Sequence, residues 1–84
     1  MNISRNEQRV LHALAQGGMI RHHRHGDRII LAECFTRDGH LLADFSLATF
    51  GRLRQRGFVV SRGGCPYRIS GTGLRAVRAQ LDNR

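Results

Sequence analysis

The sequence predicts a small α+β protein with elements in the order α-β-β-(β)-α-β-β-α. Three observations carry that expectation. A capping box opens an amphipathic run near the N-terminus. Twice, two strand-like arms meet at a glycine-bearing turn. Two further segments of helical period start at an Asp, Ser or Thr, and the first of them stops at a glycine.

Eighty-four residues fit one domain, 1–84, with a thin core. A chain this short buries only about 60% of its unfolded surface, so nearly every apolar residue is needed inside. With 40% hydrophobic residues it reads as globular rather than disordered. No run approaches the roughly 18 apolar residues of a membrane span, and the N-terminus lacks a signal-like apolar stretch. A cytoplasmic protein with no membrane association is expected.

In Ser4-Arg-Asn-Glu7 the Ser4 hydroxyl accepts from the Glu7 amide, while the Glu7 carboxylate reaches back to the Ser4 amide. A helix follows from Arg5 to Gln16 and stops at Gly17-Gly18. Val10, Leu11 and Leu14 make its inner stripe; Arg5, Arg9, His12 and Gln16 share the other face. Met19–His25 and Arg28–Phe35 form a hairpin around Gly26-Asp27, the second arm lying on the core. Thr36-Arg-Asp-Gly39 is a turn, and His40–Ala43 offers a short strand.

Asp44 or Ser46 caps a second helix that ends at Gly57. Leu47, Phe50 and Leu53 fall on one side, Thr49, Arg52 and Arg56 on the other. Phe58 closes back onto Leu53 in a Schellman-type contact. Phe58–Arg62, a Gly63-Gly64 tip and Tyr67–Ser70 make a second hairpin, with Arg62 and Arg68 near the tip. Thr72 then caps a last helix with Leu74, Val77 and Leu81 inward.

Charge dominates the composition. Fourteen basic residues, all arginine, face six acids, for a net charge of +8. Arginine offers a planar, permanently charged fork that grips phosphate or carboxylate bidentately. A polyanionic partner follows, either nucleic acid or an acidic protein surface.

Other chemistry finds little support. Cys34 and Cys65 are isolated and expected as free thiols. In Arg21-His-His-Arg-His25, His23 and His25 share a strand face without a carboxylate or thiolate, so no metal is expected. The acids are scattered over turns and helix ends. Gly71-Thr-Gly73 is explained by a helix start. The reading is a binding protein without cofactor, not an enzyme.

A basic helix running into a glycine-tipped hairpin, followed by Tyr67-Arg-Ile-Ser-Gly-Thr-Gly73, looks like the recognition helix and wing of winged-helix proteins. The layout departs from them in one respect: a hairpin follows the first helix where a second helix is usual. Thr49, Arg52, Arg54, Arg56, Arg62 and Arg68 are the candidate nucleic-acid or partner-binding residues. Burying the Leu47–Phe50–Leu53 stripe would push Arg52 and Arg56 outward, beside the wing.

The chain also resembles a known family. Met1-Asn-Ile-Ser-Arg5, Glu7-Gln-Arg9, Leu11-His12, Leu14-Ala15 and Gly17-Gly18 look like the start of the YjhX-type bacterial toxins. Glu33-Cys-Phe-Thr-Arg-Asp-Gly39 is similar to the family's middle, and Pro66-Tyr-Arg-Ile69 with Thr72-Gly-Leu74 to its wing return. Val77–Arg84 is similar to its C-terminus. The resemblance implies the toxin of a toxin–antitoxin pair, inhibiting DNA topoisomerase I by direct, non-catalytic binding. It also implies a cognate antitoxin, of acetyltransferase type. The alternative, resting on charge and helix–wing order, is a winged-helix DNA-binding transcriptional regulator.

Overall fold

A computed structural model describes residues 3–82 of the protein, with side chains as far as Arg78. Its order is α1 (Arg5–Ala15), β1 (Met19–His25), β2 (Arg28–Phe35), α2 (Leu47–Gln55), β3 (Val59–Val60), β4 (Arg68–Ile69) and α3 (Gly71–Asp82). This is the α+β layout the sequence predicts. The bracketed strand shrinks to a single bridge between Phe35 and Leu41.

Both halves of the capping box form at α1, with Ser4 Oγ accepting from Glu7 N at 3.1 Å and Glu7 Oε1 accepting from Ser4 N at 3.1 Å. Helices α1 and α2 end alike. Gly17 and Gly57 take positive φ (109° and 74°). Gly18 N then donates to Ala13 O at 3.1 Å, and Phe58 N to Leu53 O at 3.0 Å. Each is a Schellman closure, in which glycine supplies the left-handed turn that lets the chain satisfy the last carbonyls.

The β1–β2 hairpin carries a bulge between His23 and Arg24, where Ile30 has no cross-strand partner. The extra residue shifts the inward alternation. Ala32 and Cys34 therefore reach the core, but Ile30 and Leu31 stay 56% and 48% exposed, so only half of β2 lies on the core. At its base β1 also pairs with the segment entering β4. Ile20 N donates to Tyr67 O at 2.9 Å, and Tyr67 N to Ile20 O at 2.8 Å. That bridge joins the two small antiparallel sheets.

Val10, Leu11 and Leu14 of α1 pack with Ile20, Cys34, Phe50, Leu53, Phe58, Tyr67 and Val77 in one cluster. Full burial of such side chains stabilises by about 1.5–3 kcal/mol each. Of the two caps the sequence offers α2, Ser46 is the one used, accepting from Thr49 N at 3.1 Å. Two helix expectations are corrected. Leu47 is 42% exposed while Thr49 is buried, because the inward arc of α2 centres on Thr49, Phe50 and Leu53 and leaves the first-turn residue outside. Ser70 rather than Thr72 caps α3, accepting from Gly73 N at 3.0 Å. The inward arc of α3 runs through Gly73, Ala76 and Val77, with Gly73 set close against the Phe58 carbonyl and Ile69, and it leaves Leu74 44% exposed. The side chain of Leu81 lies outside the described residues.

Candidate functional site

The structure separates the six predicted site residues into two groups. Thr49 does not face outward. Its hydroxyl is buried beside Ser46 Oγ at 3.1 Å and accepts from Arg52 Nη2 at 3.3 Å. Arg56 turns toward α1, with Nη1 3.7 Å from Glu7 Oε2 and the guanidinium 4.9 Å from the Phe58 ring centroid. Both hold the fold, so the expected outward row of Thr49, Arg52 and Arg56 is not formed. The cause is the rotation of α2 that brings Thr49 into the core. Arg52 and Arg54 remain exposed on its flanks, Arg54 lying 6.0 Å from the Phe50 centroid.

The hairpin arginines do come together. The β3–β4 ladder has only two pairs, Val59 with Ile69 and Val60 with Arg68. Arg62 stands at the Gly63-Gly64 end, but Arg68 sits in the ladder itself. The two line a cleft of about 470 Å³ with Val60, Cys65, Pro66 and Ile69. Arg68 Nη1 donates to Gly17 O at 3.2 Å and to Gly18 O at 3.4 Å, at the C-terminal end of α1. A cation there matches the negative end of the helix dipole.

Arg68 also borders a second cleft, and sequence reasoning missed its other two arginines, Arg21 and Arg37. Pairing of Ile20 with Tyr67 sets Met19 beside Arg68, so Met19, Arg21 and Arg68 share the outer face of the joined sheets. The signal available in the sequence was the alternation of β1, which puts Arg21 opposite to Ile20. Nothing local pointed to Arg37, which lies on the Thr36–Gly39 turn.

For the β1 histidines, the expected lack of a neighbouring carboxylate is corrected. His22 turns in, edge-on to Tyr67 with centroids 5.0 Å apart. His23 Nε2 is 3.2 Å from Glu33 Oε1, so a carboxylate does stand beside it. Among the described residues, however, no three His, Cys, Asp or Glu side chains group as a metal site. No described helix is long and apolar enough to cross a membrane.

Fold and surface together define a small, arginine-rich α+β protein whose exposed face is cationic and grooved. The family model of the YjhX toxins, described as "Putative toxin of bacterial toxin-antitoxin pair", matches residues 1–84. The chain belongs to this family. It is 60% identical over 85 residues to a UPF0386 protein of Beijerinckia indica, and 60% identical over 84 residues to one of Brucella anthropi. A third, from Parvibaculum lavamentivorans, is 59% identical over 85 residues. All three alignments cover the whole of both chains. No solved structure matches the chain.

Proposed function

We infer that the protein is a cytoplasmic toxin of a toxin–antitoxin pair that acts by binding rather than catalysis, engaging DNA topoisomerase I directly until its antitoxin removes it. The observation that carries this reading is the family match across residues 1–84. The cationic face supports it physically. An enzyme that handles DNA must present surfaces complementary to phosphate, or hold DNA itself, and an arginine-studded protein can engage either. Of the six residues expected to make contact, Arg52, Arg54, Arg62 and Arg68 remain available on the surface. Thr49 and Arg56 serve by positioning α2.

The test is a pull-down joined to a supercoil-relaxation assay. Purified protein should retain topoisomerase I and slow relaxation at stoichiometric amounts. Unchanged relaxation at excess, with no topoisomerase retained, overturns the reading.

A second reading, a winged-helix DNA-binding regulator, draws on the net charge of +8 and the order of α2 and the β3–β4 hairpin. It predicts duplex binding that falls roughly tenfold or more between 50 and 200 mM salt. A gel shift without duplex binding at low salt eliminates it.

A further inference from the structure

The second cleft, of about 360 Å³, lies where the end of α1, β1, the Thr36–Gly39 turn and β4 meet. Three arginines from three segments border it: Arg21 of β1, Arg37 of the turn and Arg68 of β4. Among the described residues, no acidic side chain lines it. Glu33 faces Arg21 in the ladder, but its Oε1 lies 3.2 Å from His23 Nε2. Asp38 follows Arg37, and the two border a neighbouring cleft with Ala13, Gln16 and Thr36. Three like charges around one hollow repel one another, and an anion placed between them relieves that repulsion.

Two of the three are already positioned. Arg68 is held by the Gly17 and Gly18 carbonyls. The stem of Arg37 packs on Gly17, where a Cβ would stand 3.4 Å from its Cγ and Cδ. The remaining walls are Met19, Phe35, Thr36 and the backbone of Gly39. Guanidinium forks match phosphate oxygens two at a time. The apolar wall of Met19 and Phe35 suits the sugar or base attached to an esterified phosphate.

We propose that the Arg21–Arg37–Arg68 cleft binds a phosphate group, carried on a nucleic-acid strand or free. The site goes beyond the toxin reading, since it needs neither topoisomerase nor antitoxin. Its failure and that of the toxin reading are therefore separable.

The test measures binding of a short fluorescein-labelled oligonucleotide, single-stranded and duplex, to the full chain at low salt. Inorganic phosphate is titrated separately, with Tm as the readout. The Arg21→Ala/Arg37→Ala variant should bind oligonucleotide about tenfold or more weakly. An Arg5→Ala/Arg78→Ala control, losing equal charge from α1 and α3, should weaken about threefold or less. Arg68→Lys keeps the charge but loses the fork, and should also weaken binding. Loss of oligonucleotide binding identifies an esterified source. A phosphate-induced rise in Tm, abolished in the double variant, identifies a free one. Either supports the site. Should the double variant fail to fold by circular dichroism, Arg37→Gln carries the same comparison. Equal losses from cleft and control variants overturn the proposal, as does unchanged binding of both ligands. So does displacement of the oligonucleotide by polyglutamate with no effect of phosphate, which would point to an acidic protein instead.

Discussion

Arg56, the C-cap of α2, lies 3.7 Å from Glu7 of α1, and the Glu7 side chain is only 6% exposed. The carboxylate that completes the α1 cap on one oxygen thus faces the guanidinium with the other. Removing Arg56 would strand a buried charge, whereas Arg52 on the same helix is exposed. Arg56→Ala should therefore cost about 2 kcal/mol of stability, discounted because the guanidinium is partly solvated. Arg52→Ala should stay within about 1 kcal/mol. Urea midpoints of the two variants check this, and equal midpoints would show that the ion pair contributes nothing.

Two helical glycines should respond oppositely to alanine. At Gly73 an added Cβ would collide with the Phe58 carbonyl and meet Ile69 Cγ1 at 2.7 Å. Gly73→Ala should destabilise by about 1–3 kcal/mol despite alanine's better helix propensity. At Gly51 of α2 nothing lies within 4 Å, so Gly51→Ala should stabilise by about 0.5–1 kcal/mol. Thermal unfolding separates the two signs.

His22 makes stability depend on pH. Its Nδ1 is buried without a hydrogen-bond partner. Burial first, then the charges of Arg24, His23 and Arg54, pull its pKa below the usual 6.5. The unfolded chain takes up this proton near pH 6.5, while the native chain does so only at lower pH. The unfolded state thus binds more protons in that window, and stability falls as pH drops below 6.5. In His22→Phe the pH dependence of ΔG across this window should flatten. An unchanged slope would assign it to other groups.

The two thiols should differ sharply in reactivity. Cys34 is fully buried and its pKa is pushed up to about 11 by that burial, whereas Cys65 is exposed in the second hairpin. Mass spectrometry after iodoacetamide at neutral pH should find Cys65 alkylated and Cys34 intact until denaturant is added. Labelling of Cys34 in the native chain would mean that the hairpin base opens readily.

What the sequence made legible was local. Ser4 with Glu7, Gly17, Gly26-Asp27 and Gly57 each encode a start, stop or turn within a few residues, and each falls where expected. The inward stripe of α1 was equally plain, since its apolar positions recur at helical spacing. Thr49 was misplaced because a threonine inside and a leucine outside oppose the usual pattern, and only packing against β2 and α1 decides between them. The bulge at Ile30 could not be read, because one extra residue leaves an apolar run looking the same. At the candidate site, Arg62 and Arg68 were legible from the hairpin. Their relation to Arg21 and Arg37 depends on pairing of Ile20 with Tyr67, which no local spacing announces.

The capping hydroxyl of Ser70 also donates to Gly57 O at 2.6 Å, and Ser70 N donates to Phe58 O at 2.9 Å. The second hairpin is therefore sewn shut at its root, between the end of α2 and the start of α3, and owes little to its two-pair ladder. Its Arg62–Cys65 end hangs beyond that seam. Extra residues spliced in at Gly63-Gly64 would enlarge a loop whose ends are already pinned, and each doubling of its length costs only about 0.6 kcal/mol. The same end is thus the natural place to graft a peptide tag or a fluorophore, leaving the root and the helices it joins undisturbed.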